Sequence, residues 1–313
     1  MRLDGAKCLV LGGGGFIGTN LCVGLATAGA SVEAFGRRPL FDFPAADIPW
    51  HEAEFRDAGR LAEAVEGKDY VFHLLGGSVP AQSNSDPAGD VEASLLPSLQ
   101  LMSICRAAGV KRIIFASSGG TVYGITDARP ISETSPTEPI TAYGVNKLAV
   151  EKYLSLYRRL YGLDSVVLRI SNPYGPYQYA RRPQGIVGTL LTRALAGETI
   201  EVWGDGSVIR DFLHVEDVVS AMLVAASYTG PERLFNVGSG QGRSMRDVAE
   251  SIRTALHLNS NRVRYRPGRV TDVPANILDI DLIARTIGWT PQIEWEAGLA
   301  ATVTWMKHLP HGH

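Results

Sequence analysis

The sequence predicts an α/β protein: a doubly wound parallel sheet followed by a smaller C-terminal substrate-binding lobe. Two observations carry this. Short apolar runs alternate with helix-length segments over roughly the first 175 residues. A cluster of four glycines joins the first apolar run to the first helix. Strands alternating with helices of this length form parallel βαβ units, with both faces of the sheet covered.

The elements follow in order. Residues 7–11 (KCLVL) read as a buried strand, and a helix runs from about Ile17 to Ala28. Gly29 and Ala30 end it, and Ser31–Phe35 make a second strand. Further strands are expected at 70–75, 112–116 and 165–170, with helices at 58–66, 90–108 and 142–161. After about residue 175 the character changes. A polar, proline-bearing loop (GPYQYARRPQG) leads to a helix at 184–196 and a short strand in TIEVWG. RDFLHVEDVVSAMLVAA runs into a helix, LFNVGSG is strand-like, and helices are expected at about 244–257 and 281–287. The expected division is 1–175 and 176–313, with crossings between the two and about 210–240 returning to the first.

Composition narrows the function classes. Of 313 residues, 45% are hydrophobic and 20% charged, with a formal net charge of -2. That balance points away from nucleic acid and acidic membrane surfaces. No run of 18 apolar residues predicts a membrane span, and glycines fill the place where a signal peptide needs its apolar core. The three cysteines, Cys8, Cys22 and Cys105, have no paired spacing. No disulfide framework or metal site is expected, and a reducing, cytoplasmic setting fits.

The glycine turn Gly12-Gly13-Gly14-Gly15-Phe16-Ile17-Gly18 follows a strand and opens a helix. Gly12, Gly15 and Gly18 allow a tight turn, close approach of a pyrophosphate and close helix–strand packing. The helix start offers free N–H groups and partial positive charge to phosphates. The context is that of a Rossmann dinucleotide site, with Phe16 and Ile17 in the contact segment. A carboxylate at the end of the second strand would select NAD. Gly36 stands there, followed by Arg37 and Arg38, whose guanidinium groups suit a 2′-phosphate. The cofactor is therefore NAD(P), with NADP slightly favoured. Asp57 is a candidate acceptor for the adenine amino group.

Tyr143 and Lys147 stand four apart in AYGVNK, on one face of a predicted helix. An ammonium beside a phenol, together with the positive nicotinamide ring, favours the phenolate and brings it towards neutral pH, a base that can take a hydroxyl proton. Ser117, Ser118 and Thr121, at the end of strand RIIFA, are candidate hydroxyls facing the crevice. His73 and His214 sit in apolar sequence without a second ligand at metal spacing and read as packing residues.

In this order, GGGGFIG, SSGGTVYG, YGVNK, RISNPYGPYQ, GDGSVIRDFLHVEDV and RVTDVPA resemble the extended short-chain dehydrogenase/reductase family. Within it the chain looks like the UDP-glucose 4-epimerase group of NAD-dependent epimerases and dehydratases. The resemblance implies Tyr143 as base, Lys147 as its partner and Ser118 as the hydroxyl. Counting back from TVYG, however, puts the usual serine at Gly119. It implies diphosphate and ribose contacts from Asn172, Arg210, Arg269 and Asp272, and a sugar C2 contact from Asn276. It also implies a homodimer through helices 90–108 and 142–161. The activity implied is 4-epimerisation of a UDP-hexose, an isomerase reaction of carbohydrate metabolism and polysaccharide biosynthesis. The alternatives are an NADPH-dependent 4-keto-sugar reductase and a UDP-glucuronate epimerase or decarboxylase. A 4,6-dehydratase would carry an Asp-Glu pair where Gly120 and Thr121 stand. A non-catalytic cofactor sensor would be expected to lack Tyr143 or Lys147.

Overall fold

Strand β1 (Lys7–Leu11) leads through the glycine turn into helix α1 (Phe16–Thr27) and strand β2 (Ser31–Phe35). The structure, a computed structural model, describes residues 3–38, 43–45, 47–76, 80–127, 129–178, 185–267 and 273–308. A two-residue strand β3 (Trp50–His51), helix α2 (Ala58–Val65) and strand β4 (Tyr70–His73) come next. Short helices α3 (Pro80–Ser85) and α4 (Pro87–Asp90) run into a wide π turn at Val91–Leu95 and then α5 (Leu96–Ala107). Strand β5 (Arg112–Ser118), helix α6 (Ala142–Tyr161) and strand β6 (Ser165–Ile170) complete the run. These strands lie in one parallel sheet of seven, whose seventh member is β10 (Leu234–Val237), in the order β10-β6-β5-β4-β1-β2-β3.

Apolar strand sequence explains the sheet's depth. Every residue of β6 is buried, as are all but the first of β1. One face packs on Leu21, Cys22 and Leu25 of α1 and on Val218 and Met222 of α8 (Val215–Ser227). The other packs on Leu61, Leu101 and Leu154 from α2, α5 and α6. Helix α6 starts where Thr141 accepts a hydrogen bond from Gly144 N–H at 3.1 Å, and it stops at Gly162, which adopts φ +71°.

The expected helix 90–108 is interrupted. Pro97 has no N–H to donate and its ring crowds the preceding turn, and the helix widens into the π turn just before it.

Strand β7 (Asn172–Tyr174) leaves the main sheet for a smaller one. Helix α7 (Ile186–Leu195), strand β8 (Ile200–Trp203) and strand β9 (Ile209–His214) precede α8 and β10. Then come β11 (Gly242–Ser244), α9 (Met245–Ala255), β12 (Val263–Arg266), β13 (Ala275–Asn276), α10 (Asp281–Ile287) and α11 (Trp295–Lys307). Strand β9 pairs with β7, β11 and β13, and β8 pairs with β12. A separate core of Leu191, Ile252 and Leu299 joins α7, α9 and α11. Among the described residues, no helix is long and apolar enough to cross a membrane.

Candidate active site

The glycine turn is built for close approach. Gly12 has φ +87°, a conformation that favours glycine. A Cβ on Gly18 would lie 2.0 Å from the Gly12 carbonyl oxygen, so no side chain fits there. Helix α1 begins at Gly15 with no side-chain cap and no acidic residue in its first turn. Its first N–H groups have no capping side chain, the arrangement an anionic phosphate fits. The residues present therefore suit a dinucleotide pyrophosphate.

At the end of β2, Gly36 N–H donates to His51 and its carbonyl accepts from Trp50 Nε1 at 2.7 Å. Arg37 is exposed. Arg38 is engaged: its guanidinium lies 5.5 Å from the Trp50 ring centre and 3.7 Å from Glu52. Asp57 caps α2, accepting from Arg60 N–H at 3.1 Å. One carboxylate oxygen thus already has a structural task.

Tyr143 and Lys147 open α6 against the C-terminal end of the sheet. Lys147 is buried, and its Nζ donates to the Ala116 carbonyl at 2.8 Å. That ties the helix pair to β5, whose last residue is Ser118. The ammonium also lies 4.7 Å from the Phe115 ring centre and 5.7 Å from that of Tyr143. The two side chains share a recess with Gly76, Asp90 and Asn146.

Burial governs the ionisation of the pair in the cofactor-free chain. Desolvation in the recess, with the Asp90 charge adding to it, pushes the Tyr143 phenol up to about 12. Burial lowers Lys147 to about 8, opposed by the carboxylates of Glu151 and Asp90. The lysine alone does not make a phenolate here; a further positive charge is needed to favour one.

The serine turn sorts its candidates by direction. Ser117 donates its hydroxyl to Glu151 inside the core. Gly119 can carry no side chain, because a Cβ would meet Leu278 at 2.6 Å and the Arg169 carbonyl at 3.1 Å. Ser118 is half-buried beside Gly120, and the Thr121 hydroxyl is enclosed without a hydrogen-bond partner. Ser118 and Thr121 remain as the candidate hydroxyls.

The smaller sheet brings the later candidates to this turn. Asn276 stands opposite Arg210, and Asn172 opposite Phe212. Asn276 donates to the Gly119 carbonyl at 3.0 Å, leaving its own buried carbonyl oxygen without a partner. Asn172 donates to the Asp211 carbonyl at 3.0 Å. Arg210 donates to the Ile209 and Val273 carbonyls at 2.9 and 2.7 Å. Arg269 and Asp272 lie outside the described residues.

The two histidines are packed. His73 sits between Phe55 and Phe115, bonds Ser98 at 2.9 Å, and burial lowers it to about 3. His214 accepts from Glu216 N–H at the start of α8. The three cysteines are buried and free. Among the described residues, no group of three or more His, Cys, Asp or Glu side chains could hold a metal ion.

Three residues beside the pair escaped the sequence reading: Gly76, Asp90 and Asn146. A Cβ on Gly76 would stand 3.6 Å from Lys147 Nζ. Asp90 was legible only as an acidic residue on what becomes a buried helix face.

Fold and turn together define the class: a Rossmann-type α/β enzyme with a dinucleotide crevice at the C-terminal end of its parallel sheet. Residues 8–238 match the model of the NAD dependent epimerase/dehydratase family. The chain belongs to that family. A UDP-glucose 4-epimerase of Mycolicibacterium smegmatis is 34% identical over 316 residues, covering 96% of this chain and 99% of that protein. A UDP-glucose 4-epimerase of Thermotoga maritima, solved with UDP-glucose, superposes with a TM-score of 0.91 at 33% identity, over 96% of this chain and 98% of that one. A UDP-glucose 4-epimerase of Thermus thermophilus, solved with NAD, gives 0.86 at 31% identity, over 96% and 99%.

Proposed function

We propose that this protein is a nucleotide-sugar 4-epimerase acting on a UDP-hexose of the UDP-glucose/UDP-galactose type. The observation that carries the reading is the Lys147–Ala116 hydrogen bond, which docks the Tyr143 end of α6 on the strand that ends in Ser118. That contact supports the reading, with phenol and ammonium sharing one recess beside the strand that ends in Ser118, in a chain whose relatives carry the 4-epimerase name.

A nicotinamide dinucleotide held at Gly12, Gly15, Phe16, Ile17 and Gly18 would supply hydride acceptance and return. The chain's residues do the rest. Tyr143 removes the proton from the sugar C4 hydroxyl and later gives it back. Lys147 stabilises the phenolate and holds the ribose side of the cofactor. Ser118 orients the C4 oxygen, with Thr121 beside it. Asn172, Arg210, Arg269 and Asp272 anchor the diphosphate and ribose, so the hexose can turn over while its nucleotide stays fixed. Asn276 lies at the sugar's C2 side, and Asp57 at the adenine.

The test is incubation with UDP-glucose, UDP-N-acetylglucosamine and UDP-glucuronate without added cofactor, followed by proton NMR. Formation of a C4 epimer from UDP-glucose supports the reading. Turnover of a 4-keto sugar only with added NADPH would instead make the protein a reductase, and an epimer or decarboxylated product from UDP-glucuronate alone would move the activity to that substrate.

We infer NADP over NAD as the cofactor, since no carboxylate stands at Gly36 and Arg37 is left exposed beside it. Arg38, held by Trp50 and Glu52, is the lesser contributor. Arg37→Ala is expected to weaken NADP binding by roughly ten- to a hundredfold, the worth of a charged hydrogen bond, and to leave NAD binding unchanged. Titration by intrinsic fluorescence reads this, and release of NAD alone from the purified protein would reject it.

A homodimer through α5 and α6 belongs to the same reading. Val145, Tyr153, Leu156 and Leu160 form an exposed apolar stripe along α6, and Leu96 of α5 is 48% exposed. Such a stripe on a surface helix suits a partner helix. Leu156→Glu with Leu160→Glu is expected to halve the mass measured by light scattering. The setting proposed is the cytoplasm, in line with three unpaired, buried thiols.

A further inference from the structure

The turn after β5 carries a glycine that its backbone does not require. Gly119 does not take a positive φ, so any residue could adopt its conformation. Its surroundings are what exclude a side chain. The Arg169 carbonyl, 3.1 Å from a Cβ built there, would need only a small adjustment. The Leu278 δ-methyl group, at 2.6 Å, would have to leave.

Leu278 has nowhere to go. Its side chain is fully buried, packed with Val122, Tyr123 and Ile131. Its backbone is held from two directions. Ile131 brackets it: the Ile131 N–H donates to the Ile277 carbonyl at 2.8 Å, and the Asp279 N–H donates to the Ile131 carbonyl at 2.9 Å. From the other side, the Leu278 N–H donates at 3.3 Å to the carboxylate of Asp211 on β9. That carboxylate is wholly buried and takes three further bonds, from the Ser239 N–H and hydroxyl at 2.7 Å each and from the Gly240 N–H at 3.2 Å. Asp211 thus ties the segment after β13 to β9 and to the turn that follows β10. The serine turn is fixed at the same point. Gly119 N–H donates to the Ile170 carbonyl at 2.8 Å, and its own carbonyl accepts from Asn276 at 3.0 Å. Neither side can slide to relieve the contact.

We propose that Leu278 is a positioning residue of the proposed reaction: its side chain fills the space that a side chain at Gly119 would need and so confines the hydroxyl function to Ser118 and Thr121. This role rests on reading the turn as the source of the hydroxyl that meets the sugar C4 oxygen. It makes positions 119 and 278 a matched pair. Glycine goes with leucine here, and a serine at 119 requires a smaller residue at 278. The segment after β13, far from β5 in the chain, thereby decides which residue of the turn presents its oxygen.

Moving the hydroxyl tests this. Ser118→Ala with Thr121→Val removes both candidates, and the Thr121 hydroxyl has no hydrogen bond to lose. This parent variant is expected to lose about a hundredfold in kcat for UDP-glucose. Adding Gly119→Ser should recover nothing while Leu278 is in place. Adding Gly119→Ser together with Leu278→Ala should recover about tenfold or more in kcat, with KM within about twofold. Leu278→Ala without the new serine should recover none. A merely structural Leu278 would relieve crowding without returning kcat. Full activity in the parent variant, recovery with Leu278 intact, or no recovery in the quadruple variant would overturn the proposal. Should Leu278→Ala not fold, Leu278→Val also withdraws both δ-carbons and gives the same comparison. Thermal melting reads the contact without turnover: Gly119→Ser should lower the midpoint by a few degrees in the otherwise wild-type chain and not in the Leu278→Ala chain. A wild-type protein that turns over no UDP-hexose would sink the functional reading, and the melting comparison would still decide whether Leu278 keeps position 119 free of a side chain.

Discussion

Tyr143→Phe is expected to lower turnover of UDP-glucose roughly a thousandfold while leaving the dinucleotide bound. The substitution removes one oxygen and no bulk. The backbone contacts that place the residue are untouched: Tyr143 N–H still donates to Ser83 at 3.0 Å, and Thr141 still caps the helix. The glycine turn is remote in sequence and independent of the phenol. Activity and binding should therefore separate, which spectrophotometric assay and calorimetric titration would each register. Unchanged turnover would remove Tyr143 from the mechanism and leave Ser118 or Thr121 to act without it.

The largest expected effect on stability lies just behind this site. Arg169→Ala leaves Glu151 buried, 6% exposed, with the Ser117 hydroxyl as its hydrogen bond and the Lys147 ammonium as its nearby charge. Breaking a buried pair from one side costs about 3–5 kcal/mol, because the remaining charge has lost its partner without regaining water. Arg169 also lies 4.8 Å from the Tyr123 ring centre, so packing is lost too. The midpoint of urea unfolding should fall accordingly. Replacing both partners by leucine should recover most of the loss, since the desolvation penalty then disappears. If the double variant is as unstable as the single, the pair is not what holds β6 to α6.

Much of this arrangement is legible in the sequence, and the reasons differ by element. Strands β1, β2 and β6 and helix α6 stand where the apolar runs and their glycine boundaries put them. Each is decided locally, by residues within one turn or one strand length. Strands β3, β7 and β13 are two or three residues long and exist only through distant partners, so no local period announces them. The Tyr143–Lys147 pair is readable because four residues on a helix is a fixed geometry. The burial and the Asp90 carboxylate that raise the phenol are not, because both come from elsewhere in the chain. The serine ambiguity has the same origin. Only the approach of Leu278 to Gly119 excludes a side chain there and leaves Ser118 at the strand end.

The central claim is that the C4 proton and hydride leave and return within one closed site. UDP-glucose carrying deuterium at C4, incubated with the purified protein in ordinary water and no added cofactor, tests it most directly. UDP-galactose that keeps the deuterium at C4 is the expected product, read by NMR and mass spectrometry. Deuterium lost to solvent, or product formed only when NADPH is supplied, would contradict the account.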